Sequence, residues 1–205
     1  RAISELVAQQ GLQDATVYLQ VTGGSGLRNH AVFHDTRPFV IAIARPAPIV
    51  RPRTPITVVT VSDDRWSRCY LKTTMLLPNA QARERARRLG ADDAIFVRDG
   101  FVMEATASNI LLVRDGTLRT PPLSNYILAG ITRAFVLELA AAQGIPTAEE
   151  VIPWDALYSS DEVMLTGTLN ELQPIVAVDR RPIGDGHPGP VFELLSAAYD
   201  RALGL

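Results

Sequence analysis

Lys72 is the sole lysine in the chain; the rest of its 20 basic residues are arginine. A guanidinium stays protonated at working pH, so it can neither form an imine nor act as a base. A desolvated lysine can do both. The run Arg68-Cys69-Tyr70-Leu71-Lys72-Thr73-Thr74 places this amine between a β-rich stretch, 56–61, and Leu76-Leu77-Pro78-Asn79, which opens a helix-like segment ending at Leu89-Gly90. Three further features join it. Glu104 ends a strand and is followed by Ala105, Thr106, Ala107 and Ser108, small residues that let a ring nitrogen approach the acid. Gly130-Ile131-Thr132 opens a helix, where free N–H groups and the helix dipole favour a phosphate. Thr166-Gly167-Thr168 offers hydroxyls and N–H groups for the same anion at a strand end. Each has a plainer reading as a solvated lysine, a strand end, a helix cap or a turn. Together, an amine, an acid and two anion cradles are the parts needed to hold pyridoxal phosphate.

The elements that must position these residues are legible in outline. Residues 1–10 read as the end of a helix stopped by Gly11, followed by strands at 16–21 and 39–44. Between them lies the glycine-rich loop Thr22-Gly23-Gly24-Ser25-Gly26-Leu27-Arg28-Asn29-His30, in which Arg28 and His30 are candidate anion binders. Its spacing does not fit a phosphate-binding P-loop. The prolines of 46–53 mark a linker. A helix end and two strands do not make a stable unit alone. Residues 1–45 are therefore expected to be part of a small domain lacking an N-terminal portion, and 54–205 a large domain. In the latter, Asp99-Gly100 and Asp115-Gly116 each predict a hairpin. A helix with the stripe Ile131, Phe135, Val136, Leu139 and Ala140 ends at Gly144. A strand at 162–165, a hairpin at Asp179-Arg180 and a final helix buried through Val191, Leu194, Leu195, Ala198 and Tyr199 close an α+β chain.

Composition narrows the classes. Of the 205 residues, 47% are hydrophobic, enough for one large domain plus a fragment of another. A net charge of −2 points to neither nucleic acid nor a membrane surface as partner. No apolar run approaches the roughly 18 residues of a spanning helix, and the first residues lack a signal-peptide core, so a cytoplasmic location is expected. The lone cysteine, Cys69, excludes an intrachain disulfide and a cysteine-based zinc cluster, and no metal is expected. It reads as a small buried apolar residue rather than a nucleophile.

In order and spacing, Arg68-Cys69-Tyr70-Leu71-Lys72, Glu104-Ala105-Thr106-Ala107-Ser108-Asn109, Leu128-Ala129-Gly130-Ile131-Thr132-Arg133 and Thr166-Gly167-Thr168 resemble the motifs of the fold-type IV pyridoxal-phosphate enzymes. The loop around Arg28 and the ending at 183–190 look most like the D-amino-acid aminotransferases. Two positions depart from the pattern, Tyr70 where relatives often carry an acid and Gly23 where they often carry arginine. The resemblance implies a barrel-like, hairpin-rich large domain and a homodimer. It implies that Lys72 forms the Schiff base and moves the proton, and that Glu104 keeps the pyridine nitrogen protonated. Leu128 would pack on the ring, Ile131, Thr132, Gly167 and Thr168 would hold the phosphate, and Arg28 and His30 the substrate carboxylate. The expected reaction is transamination between an amino acid, of D configuration, and a 2-oxo acid. A branched-chain-type aminotransferase, an aminodeoxychorismate lyase and a non-catalytic protein on the same scaffold are the alternatives.

Overall fold

The computed structural model describes residues 1–26, 36–47 and 53–204. Contacts divide the chain into two units, Arg1–Pro52 and Arg53–Leu205. In the first, α1 (Ala2–Gln9) precedes β1 (Ala15–Thr22) and β2 (Phe39–Pro46), which pair antiparallel from Thr22 with Phe39 to Ala15 with Pro46. Strand β2 thus runs two residues past the predicted 39–44 and takes in the first proline of the predicted linker. A proline is tolerated there because it ends the ladder.

The second unit is built on a nine-stranded sheet. Its strands are β3 (Ile56–Ser62), β4 (Asp93–Arg98), β5 (Phe101–Ala105), β6 (Asn109–Arg114), β7 (Thr117–Thr120), β8 (Thr147–Glu149), β9 (Glu162–Gly167), β10 (Glu171–Val178) and β11 (Arg181–Pro182). Both Asp-Gly hairpins form as predicted. Asp99, Gly100, Asp115 and Gly116 all have positive φ, the geometry whose twist matches the flanking strands. The spatial order is β5-β4-β3-β10-β9-β6-β7-β8, with β11 on β10. β3 is an interior strand, parallel to both β4 and β10. The sheet curls: past β8 the chain returns to the free edge of β5, where Val102 N–H donates to the Ile152 carbonyl at 2.9 Å and Trp154 N–H to that of Gly100 at 3.0 Å.

Strands covered on both faces read as unbroken apolar runs. Along β6, Ile110 and Leu112 enter the interior with Val58, Ile95, Val163, Leu165 and Ile175, while Leu111 and Val113 face outward. Helices α3 (Ile131–Ala142) and α4 (Pro190–Leu203) cover that outer face. Helix α2 (Leu77–Arg88) covers Val59, Val61, Ala94 and Phe96 through Ala82 and Ala86. The helix stripes differ from those expected. α3 buries Thr132, Arg133, Val136 and Ala140, and leaves Ile131 84% exposed. Arg133 is drawn inward because its guanidinium donates to the Pro121 carbonyl at 3.0 Å and to Glu149 at 2.7 Å. α4 buries Phe192 rather than Leu194, because Glu162 on β9 receives the Val191 and Phe192 N–H groups at 2.8 and 2.7 Å and sets the helix rotation.

The β10–β11 turn carries two non-glycine residues at positive φ, Asp179 and Arg180. Asp179 compensates by accepting from Thr60 N–H at 2.9 Å, Thr60 Oγ1 at 2.7 Å and the Tyr158 hydroxyl at 2.7 Å. Asp179→Ala removes all three acceptors at once. It is expected to lower stability by about 2–3 kcal/mol, read as a shift of the urea midpoint.

Candidate active site

Glu104 is the best-built group of the site. Its position on β5 puts it 7% exposed, not at a solvated strand end. Oε1 receives Arg65 Nη1 at 2.5 Å, and Oε2 receives Asn109 Nδ2 at 3.1 Å and Leu128 N–H at 3.0 Å. Burial pushes the Glu104 carboxyl above its ordinary range, while the Arg65 charge and the Leu128 N–H pull it back. Asn109 Nδ2 also donates to the Leu128 carbonyl at 2.9 Å, which fixes the backbone just ahead of α3.

That backbone leads into a helix N-terminus that could hold an anion. Gly130 is the N-cap of α3 and no side chain caps it, so first-turn N–H groups stay available. A Cβ at Gly130 would run into Asn109 Oδ1, and one at Gly167 would lie 3.1 Å from Ser108 Oγ, so the two glycines let Asn109 and Ser108 pack closely against the start of α3 and the end of β9. Asn109 pairs with Thr166 across β6 and β9. Thr166 is 1% exposed, and its hydroxyl has no hydrogen-bond partner among the described residues. A buried orphan hydroxyl, a bare helix N-terminus and a buried carboxylate with capacity to spare fit a pyridine ring bearing a phosphate.

The predicted site residues are brought together unevenly. Leu128 and Thr132 lie with Glu104 and the α3 terminus, Leu128 half-buried and Thr132 buried. Gly167 is half-buried at the end of β9 and Thr168 is exposed just beyond it. Ile131 contributes its position at the helix start, its side chain pointing to solvent. Arg28 and His30 lie outside the described residues. Lys72 sits in the loop between β3 and α2 and is exposed, as are Tyr70, Leu71, Met75 and Leu76. The expected desolvation of the amine is therefore not provided by these neighbours, because the loop presents them outward. Among the described residues Lys72 has no ion pair. Its loop is tied to the rest of the site through Cys69, whose N–H donates to the Asn125 carbonyl at 2.8 Å, three residues before Leu128. Burial pushes the Cys69 thiol up, which fits a packing role rather than a nucleophile.

Four residues of the site had no assigned role in the sequence reading: Asp63, Arg65, Asn109 and Thr166. Asn109 and Thr166 belong to the motifs at 104–109 and 166–168. Asp63 and Arg65 belong to the charged run Asp63-Asp64-Arg65 directly after a strand, the only signal that could have singled them out. Among the described residues, no cluster of three His, Cys, Asp or Glu side chains could hold a metal ion. No helix among them is long and apolar enough to cross a membrane.

The curled, helix-covered sheet is the fold of a known family, and the sequence agrees. The family described as amino-transferase class IV matches residues 1–178, and the chain belongs to it. A D-alanine aminotransferase of Bacillus licheniformis is 34% identical over 203 residues, covering 98% of this chain and 72% of that protein. Among solved structures, a T.th. branched-chain amino acid aminotransferase with pyridoxamine 5'-phosphate superposes with a TM-score of 0.89 at 27% identity, over 99% of this chain and 70% of that one. The Escherichia coli branched-chain amino acid aminotransferase gives 0.85 at 26%, over 100% and 69%. The fold is that of the fold-type IV enzymes.

Proposed function

We propose that this chain is a pyridoxal-phosphate-dependent aminotransferase that exchanges an amino group between a D-amino acid and a 2-oxo acid. The observation that carries the reading is the buried Glu104 carboxylate next to the uncapped α3 terminus, an acid and an anion cradle set at one end of one sheet. The Bacillus licheniformis relative, named a D-alanine aminotransferase, supports the D configuration. When bound, pyridoxal phosphate supplies an electron sink for the pair left on the substrate Cα. Glu104 would hold the ring-nitrogen proton, and Leu128 would pack on the ring. Ile131 and Thr132 at the α3 terminus would bind the phosphate, together with Gly167 and Thr168. Lys72 is the amine that anchors the cofactor aldehyde and carries the proton to and from Cα. Arg28 and His30 are assigned to the substrate carboxylate on the strength of the sequence. We further place the enzyme in the cytoplasm as a homodimer.

Two measurements test this. Purified protein loaded with pyridoxal phosphate should show a visible absorbance band that borohydride abolishes, whereas a non-catalytic scaffold would show none. Rates for the D- and L-enantiomers of alanine, glutamate and leucine should favour the D forms. A preference for L-leucine would shift the assignment to a branched-chain aminotransferase, the class to which the two solved neighbours belong.

A further inference from the structure

Three segments of the site meet at one side chain that has no assigned role, Arg65, which is 6% exposed. Its Nε donates to Asp63 Oδ1 at 2.8 Å, and its Nη2 to Asp63 Oδ2 and to the Tyr126 carbonyl, both at 3.0 Å. Its Nη1 donates to Glu104 Oε1 at 2.5 Å, and the guanidinium lies 4.2 Å from the Phe96 ring centroid. Arg98 on β4 steadies the arrangement from behind. Its Nε reaches Asp63 Oδ2 at 3.2 Å, its Nη2 the Arg65 carbonyl at 2.8 Å, and its guanidinium stacks 4.1 Å from the Tyr126 ring centroid. Two arginines thus face two carboxylates, and of the four only Arg98 is not buried.

A carboxylate has about four lone-pair positions for donors. On Glu104 three are taken: Asn109 and Leu128 use both on Oε2, and Arg65 uses one on Oε1. The remaining position is on Oε1, the oxygen that Arg65 orients. We propose that Arg65 is a positioning residue that keeps Glu104 an anion and turns the free lone pair of Oε1 toward the cofactor ring nitrogen. The assignment of that lone pair rests on the function proposed above.

The physical basis is the cost of an uncompensated buried charge. Burial disfavours ionised Glu104, and so does the nearby Asp63; Arg65 supplies the opposing cation. The Cys69 thiol, pushed up by burial, adds no charge. Without Arg65, two buried carboxylates would share Arg98, which sits on Asp63. Glu104 is then the one to take up a proton.

The test reads the Glu104 carboxyl directly in the full chain, first without cofactor, by infrared difference spectra assigned with Glu104→Gln. In Arg65→Met the Glu104 titration should move up by at least about one pH unit. In Arg65→Lys, which keeps the charge, it should stay near the wild-type value. Asp63→Asn should move it down, because a neighbouring anion is lost while Arg65 remains. A purely structural role would not give opposite shifts for Arg65→Met and Asp63→Asn. If one variant does not fold, the other decides, and an unchanged midpoint in the folded one overturns the proposal. With 15N-labelled pyridoxal phosphate bound, the ring nitrogen should be protonated in wild type and in Arg65→Lys, and unprotonated in Arg65→Met. A protein that takes up no cofactor would overturn the proposed function while leaving the Glu104 titration result intact.

Discussion

Replacing Lys72 by arginine is expected to reduce transamination by at least about 10⁴-fold, because the change keeps the charge and removes both the imine-forming amine and the proton carrier. Lys72 is exposed in a loop and has no ion pair among the described residues, so the fold has little to lose. The urea midpoint should correspond to a change within about 0.5 kcal/mol of wild type, the usual range for a surface substitution. The visible band of the cofactor-loaded protein should disappear with the activity. Near-normal turnover of D-alanine by Lys72→Arg would remove the lysine from the mechanism.

Glu104→Gln is expected to slow the chemistry by roughly a hundredfold or more while leaving the phosphate contacts in place, since a neutral amide no longer favours a protonated ring. The same substitution has a second readout in the cofactor-free protein. Burial holds the folded Glu104 carboxyl above its unfolded value of 4.5. A raised carboxyl contributes stability that is fully present below the unfolded pKa and is lost as pH rises through the folded one. Glutamine stays neutral throughout. Going from pH 4 to pH 8, the urea midpoint of Glu104→Gln should therefore rise relative to that of wild type. An unchanged rate would assign Glu104 to packing alone, and an unchanged pH response would mean that the carboxyl is not strained by burial.

What could be read from the sequence follows the range of the interactions involved. The two Asp-Gly hairpins were legible because their turn geometry is encoded in two adjacent residues, and Asp99 and Asp115 take the positive φ that such turns need. Helix α3 was legible as a helix but not in its rotation. The apolar stripe counted Ile131 as buried, whereas Arg133 is drawn inward by Pro121 and Glu149, partners the local pattern does not contain. The site divides in the same way. Lys72, Glu104 and the α3 terminus stand out by residue type. The burial of Glu104 depends on Arg65, Asn109 and Leu128, which come from three other segments, so a strand-end acid in isolation reads equally well as solvated. The exposure of the Lys72 loop is likewise a property of packing, invisible in a run of Tyr70, Leu71, Met75 and Leu76.

The place of β3 between two parallel neighbours has a consequence for the order in which the molecule is made. Parallel strands cannot be joined by a tight turn, so β3 waits for β4 on one side and for β10 on the other. Thr60 is 119 residues from Asp179, which accepts its N–H, and closing so long a loop must precede the contacts that reward it. On the ribosome, β3 emerges long before β10, and β6 before β9, the strand that carries Thr166. A nascent chain stopped after β8 would expose one edge of β3 and of β6 and would hold Glu104 without the far wall of the anion cradle. Completion of the proposed anion cradle thus waits for β9, whichever strands have formed before it.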